Sequence, residues 1–295
     1  MTSTSPTAVH VQRYAWAAIL LAGLGLFEAV REVLVATGNE ALVPSLVFVG
    51  AIVMPGTFVA FLAGRRMGET VSSATLVLVA LGGGVVGVVI AGFVEFETLQ
   101  HLGTFAKLGV AVIEEVATLL IPAVMLLRDH SRSPADGLLL GVASGAGFAA
   151  LETMGYAFTT IVNSHGDLST VSQLLLVRGV WSPAGHMAWT GLTAAALYAA
   201  ARQRFSGRSV LQLTVTFAAS VALHTAWDSL QTPWAYAVLA VTALGALAFI
   251  VHRQQLESQQ PPLHLQVHGE SVNTITGDAP ASTDNQERKS PHVLH

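Results

Sequence analysis

Eight apolar stretches recur along this 295-residue chain, at approximately 14–36, 41–64, 71–93, 104–127, 135–160, 179–201, 209–231 and 234–252. Each is close to the roughly 20 residues that a bilayer-spanning helix needs. In hydrocarbon every backbone N–H and C=O must be bonded within its own segment, so such stretches have little choice but to be helices. Only 11% of the residues are charged, against about 25% in a soluble domain, and the mean hydropathy is +0.59. The expected fold class is therefore all-α: a polytopic integral membrane protein of about eight transmembrane helices. Residues 1–13 form a short N-terminus, 14–252 the helical domain with its core site at 104–231, and 253–295 a polar tail without apolar periodicity. That tail is expected to be disordered, because it has too little apolar surface to offset the entropy of folding.

The basic residues orient this arrangement. Arg13, Arg65, Arg66, Arg128, Arg132, Arg202, Arg204, Arg208 and Arg253 fall on one side of an eight-span chain, with Arg31, Lys107 and Arg178 near the other. By the positive-inside rule both termini are expected in the cytoplasm, in a multi-pass protein of the plasma membrane. The first span lacks a small-residue cleavage site and reads as a retained anchor. Trp181, Trp189, Trp227 and Trp234 then gather toward the outer half, as an interfacial belt would. With 14 Lys+Arg against 18 Asp+Glu, the chain offers no basic face for a nucleic-acid backbone. It has no cysteine, so any metal would sit on His, Asp or Glu.

Ionisable groups within the spans are the informative ones, since a charge at the centre of a membrane helix costs about 2.5–3.5 kcal/mol on insertion scales. Glu114 and Glu115 (AVIEEVATLL), Glu152 (GFAALETMGYAF), His186 (SPAGHMAWTGL), and His224 with Asp228 (VALHTAWDSL) stand well inside apolar sequence. Counted at 1.5 Å per residue from the outer ends of their spans, all fall roughly 5–15 Å deep, in one layer. His224 and Asp228, four apart, share a helical face. Glu114 and Glu115 point about 100° apart, so they should play different parts.

Carboxylates gathered in a low-dielectric layer repel unless protons, cations or a metal compensate them. Two histidines and a carboxylate around an open position are a usual way to hold catalytic zinc. His186, His224 and Glu152 are the candidate ligands for Zn2+ or another divalent ion, with a remaining Glu as general base. The same residues suit metal-free hydrolysis, in which a Glu activates water while the histidines hold it. Among the other polar groups, Glu28, Arg31 and Glu32 read as a helix-end ion pair by their spacing. Arg178 reads as an interfacial residue or a site residue, and Tyr156 as an interfacial anchor. Gly83-xxx-Gly87 and Gly141-xxx-Gly145 mark close helix packing.

Taken in order on successive helices, Glu114-Glu115, Phe148-xxx-Glu152, His186 and His224-xxx-Asp228 resemble the PrsW family of intramembrane proteases. They are more distantly similar to the CAAX-prenyl endopeptidase and bacteriocin-processing group. The resemblance covers roughly residues 104–231. It implies a multi-helix protease whose Glu and His residues activate water and which cuts membrane-anchored proteins near the outer membrane face, an anti-sigma factor in the best-known members. Thr118 stands where that family commonly has a Lys, and Thr153 where an Asn often follows the motif Glu. The CAAX-type group usually has His at the place of Glu152, so the PrsW side is preferred.

The sequence thus points to an intramembrane endopeptidase, metallo- or glutamate-type, with Glu114, Glu115, Glu152, His186, His224 and Asp228 as its catalytic set and Glu114 as the water-activating base. Its partners would be a membrane-anchored protein substrate and the lipid bilayer. An ion- or proton-coupled transporter is the alternative, since Glu, His and Asp on several helices also form proton relays. A non-catalytic membrane scaffold is the other.

Overall fold

A computed structural model describes residues 6–65, 67, 71–128 and 133–259, with the side chains of 6–13, 99, 100 and 104 excepted. Among these residues there are nine α-helices, joined in places by single 3-10 turns, and no strand. They are α1 (Pro6–Thr37), α2 (Val43–Ala63), α3 (Ser73–Leu102), α4 (Ala106–Arg128), α5 (Pro134–Asn163), α6 (Leu168–Trp181), α7 (His186–Arg202), α8 (Gly207–Ser229) and α9 (Pro233–Gln259). Six of these, α2, α3, α4, α5, α8 and α9, are long and apolar enough to cross a membrane by length and composition, and the chain is a multi-pass membrane protein. The other expected spans correspond to α1 and to the pair α6 and α7. Local chemistry sets several helix starts. Ser72 caps α3 by accepting from the Thr75 amide, Ser133 caps α5 ahead of Pro134, and Asp167 caps α6 through the Ser169 amide.

The largest departure from the sequence reading is at 179–201, which is not one continuous helix. Ser182-Pro183-Ala184 makes a 3-10 turn and α7 starts afresh at His186, after Gly185. A proline inside the stretch removes an amide donor and crowds the preceding turn, which breaks the ladder. Packing shows where the restart lies. Along α5, Gly137 faces Tyr198, Gly141 faces Thr190 and Ala194, and Gly145 faces the backbone of His186. The helices α5 and α7 are thus antiparallel, and His186 sits beside the middle of α5. The 14 residues of α6, about 21 Å at helical rise, run alongside the remaining length. One crossing is built from two helices, and the break places His186 at the head of α7 and not in a helix interior. At the other end of the chain α9 runs on past residue 252 to Gln259, and the rest of the tail lies outside the described residues.

α5 is the hub, packing on α2, α3, α4, α6 and α7. Close approach depends on its glycines. A Cβ at Gly147 would lie 1.8 Å from the Ala80 carbonyl oxygen of α3, and one at Gly145 would lie 2.4 Å from that of His186. Polar bonds join the same helices. Pro122 has no amide to offer the Thr118 carbonyl one turn back, and Ser144 of α5 donates to that carbonyl instead, at 2.6 Å. The Tyr198 hydroxyl of α7 donates to the Pro122 carbonyl at 3.0 Å. Two interhelical bonds thereby lock α4 against α5 and α7 at the level just beneath the ionisable cluster.

Candidate active site

Four helices bring the sequence-picked residues into one cluster: Glu114 and Glu115 from α4, Glu152 from α5, His186 from the head of α7, and His224 with Asp228 from α8. All six expected site residues meet. Glu114, Glu115, His186 and His224 are buried, Glu115 to 2% exposure, while Glu152 and Asp228 are partly open. Glu152, His186, His224 and Asp228 line a cavity of about 100 Å³, together with Tyr156, Arg178, Trp181 and Trp189. A larger groove of about 500 Å³, floored by α5 between α2 and α3, is lined by apolar side chains and carries none of the ionisable groups.

The two adjacent glutamates face different atoms. One oxygen of Glu115, Oε1, lies 3.3 Å from His186 Nδ1 and 3.2 Å from His224 Nδ1. An ionised carboxylate can only accept hydrogen bonds, so with neutral imidazoles both rings would present Nδ1–H to Glu115 and keep a lone pair on Nε2. Those lone pairs turn toward Glu114 Oε2, which is 3.5 Å from His186 Nε2 and 3.4 Å from His224 Nε2. In that state three electron-rich atoms converge, and such a set repels unless a proton or a metal cation lies among them.

The two spacings from Glu114 to the imidazoles fit a metal. A tetrahedral ion bound at about 2.0–2.1 Å to N and O ligands has edges of about 3.3–3.4 Å. Glu114, His186 and His224 each offer one ligand atom, all within 4.8 Å of one another. Glu115 lies behind both rings, where a carboxylate could orient metal-binding histidines. Two more acids flank the set: Glu152 Oε2 is 3.7 Å from His186 Nε2, and Asp228 Oδ2 is 3.5 Å from His224 Nε2.

Aromatic rings hold the imidazoles from outside. Phe148 lies edge-on to His186 at 4.7 Å, and Trp189 stacks on His224 at 4.8 Å with 22° between planes. The expected interfacial belt therefore shrinks. Trp189 is 2% exposed and Trp181 and Trp227 line the cavity, while Trp234 is exposed at 70%. Glu28, Arg31 and Glu32 do form the expected helix-end ion pairs.

Two residues near the site were not weighed correctly from sequence. Glu95 was passed over because the apolar run ends at 93, yet α3 continues to Leu102 and brings the Glu95 carboxyl to that of Glu114. The signal was present: Gly87, Ala91 and Glu95 are spaced by four, and the first two pack on the Phe148 side. Tyr156, expected at an interface, lies beneath the Arg178 guanidinium, 4.2 Å from Cζ to the ring centre. Thr118, in the place of a lysine, is fully buried. Its hydroxyl donates to the Glu114 carbonyl at 2.9 Å and accepts from Thr190 at 3.0 Å.

Residues 67–252 match the family model described as PrsW family intramembrane metalloprotease. No curated protein and no solved structure matches the chain. The match spans well over half of the sequence and takes in every residue of the cluster, and on that ground the chain belongs to the PrsW family of intramembrane metalloproteases.

Proposed function

We propose that the protein is an intramembrane endopeptidase that hydrolyses a peptide bond of a membrane-anchored protein near the extracytoplasmic face, with a divalent metal, Zn2+ foremost, held by Glu114, His186 and His224. The observation that carries this is the shared use of Glu115 Oε1 by both Nδ1 atoms, which leaves both Nε2 lone pairs aimed at Glu114. The sequence reading gave Glu152 the third ligand position and Glu114 the part of base. The distances favour exchanging them, since Glu114 lies nearer the His186 Nε2 atom than Glu152 does.

A metal so bound supplies Lewis acidity to an attacking water and to the scissile carbonyl. Glu152 Oε2, on the cavity side of His186, takes a proton from the water as it attacks and returns it to the leaving amine. Asp228, one turn beyond His224 on the same face, orients the water from the other flank. Glu115 holds both imidazoles in the tautomer that ligates. The start of α7 adds the positive end of a helix dipole beside these carboxylates.

Buried ionisable groups favour a protease over an ion-coupled transporter. Apart from the cluster, the buried charge on α5 is Asp136 in its first turn, about 24 Å from Glu152 at helical rise. Between them the buried polar side chain on α5 is Ser144, whose proton is spent on Thr118. A relay needs acids at hydrogen-bonding steps, and α5 does not provide them. The arginine asymmetry supports a plasma-membrane protein with both termini cytoplasmic, and the resemblance supports an anti-sigma-factor-like substrate.

The test uses the full chain in proteoliposomes with a pool of quenched single-span peptides varied just outside the apolar segment. Wild type should cleave members of the pool and contain metal. Glu114→Gln, His186→Ala and His224→Ala should lose both properties while remaining folded. Retained cleavage in all three folded variants would sink the protease reading, and cleavage by a metal-free wild type would sink the metal.

A further inference from the structure

Arg178 stands in the last turn of α6 and meets three consecutive features of α5. Its Nη2 is 2.7 Å from Glu152 Oε2, its Nε donates to Thr153 Oγ1 at 3.0 Å, and its flat face covers the Tyr156 ring. Charge, hydrogen bond and stacking fix position, rotation and tilt of a planar group, which is more than a flexible ammonium could satisfy at once. A residue that only reached for headgroups would not be held this way.

The oxygen that Arg178 grips is the same one that approaches His186 Nε2. Glu152 has three rotatable side-chain bonds and is partly open to the cavity, so without a tether Oε2 would sample several directions. Among the ion pairs of the described residues, Arg178 is the only Lys or Arg side chain bound to a carboxylate of the cluster. From α4, Lys107 Nζ donates to the Asp228 backbone carbonyl at 2.9 Å and forms none of these carboxylate pairs, and the Thr118 hydroxyl is committed to Glu114 and Thr190.

We propose that Arg178 is a positioning residue, whose guanidinium, seated on Thr153 and Tyr156, holds Glu152 Oε2 turned toward His186. This rests on the protease reading in which Glu152 is the base. It also gives α6 a purpose: the break at Ser182–Gly185 lets the crossing bend so that Arg178 and His186 reach one carboxylate from either side. Thr153 takes part as the acceptor that orients the fork.

Two measurements separate this inference from the reading beneath it. With the peptide pool, Arg178→Met should lower kcat by about 100-fold, the scale of a misplaced catalytic group, with KM and metal content unchanged. Arg178→Lys, which keeps charge but not the fork, should recover about tenfold of that loss, and Thr153→Val should fall between Lys and wild type. Adding Arg178→Met to Glu152→Gln should cost nothing further, because the two act as a unit. Without any substrate, Glu152 in the wild-type chain should resist modification by dicyclohexylcarbodiimide, read by mass spectrometry, and become about tenfold more reactive in folded Arg178→Met.

Full kcat in Arg178→Met, a loss additive with Glu152→Gln, or equal carbodiimide labelling in both chains would overturn the proposal. If folded Glu114→Gln, His186→Ala and His224→Ala all keep wild-type cleavage, the protease reading falls by itself, and the labelling still decides whether Arg178 holds Glu152.

Discussion

α5 and α8 both carry site residues, yet they are built in opposite ways. On α5, 78% of the membrane-length window is buried, and glycines at 137, 141, 145 and 147 let α3 and α7 close to backbone contact. On α8 the share is 22%, and the buried residues are Ser209, Ser220, Val221 and His224. One helix is enclosed along most of its length up to Ala150, while the other lays a narrow stripe on the bundle and turns the rest outward. The contrast shows that a membrane site can be assembled from a rigid hub and a peripheral strip, provided the strip delivers few atoms. His224 stays in place because Glu115 holds its Nδ1 and Trp189 stacks on its ring.

That contrast can be broken experimentally. The largest effect should come from the strip: His224→Ala removes a ligand atom, so cleavage should fall by on the order of 10³-fold or more, with bound metal lost by mass spectrometry. If metal and activity survive, α8 is not part of the site.

Next comes the hub. Gly145→Val puts branched carbon where the His186 carbonyl already sits 2.4 Å from an added Cβ. It should destabilise the fold by about 1–3 kcal/mol and weaken metal binding by moving the head of α7. A reversible unfolding curve in detergent that matched wild type would show that α5 and α7 are not closely apposed.

Smaller again is Glu115→Gln, which keeps shape but weakens the grip on both Nδ1 atoms. Metal affinity should drop about 10–100-fold, as for other residues that orient ligating histidines, and competitive chelator titration measures it. An unchanged affinity would mean that Glu115 does not set the tautomers. The smallest effect belongs to the outward face of α8: Val215, 59% exposed, should tolerate Val215→Ala within about 0.5 kcal/mol. A large shift in the melting curve would show that this face is covered.

Different parts of this arrangement were visible in the sequence for different reasons. The His224-xxx-Asp228 pair was legible because a helical strip repeats every fourth residue, and Ser220, His224 and Asp228 follow that spacing. Phe148-xxx-Glu152 was legible as a spacing, but not its facing, since a helix buried all round carries no amphipathic signature. The break between α6 and α7 was missed because Ser182-Pro183-Ala184-Gly185 falls at the head of a stretch whose alanines and leucines read as one span. Glu95 was missed for the converse reason: the apolar run stops before the helix does.

Composition and spacing alone settled that the chain is a helical membrane protein and which ionisable residues belong together, because hydrocarbon permits few backbone states and makes each stray charge costly. Only the tertiary structure decided which oxygen of the Glu114-Glu115 pair faces which ring nitrogen, that Arg178 grips Glu152, and that His186 heads a helix. Those outcomes depend on separations of an ångström or less between atoms on different helices, fixed by how glycines let backbones approach, and no pattern along one strand of sequence encodes such distances.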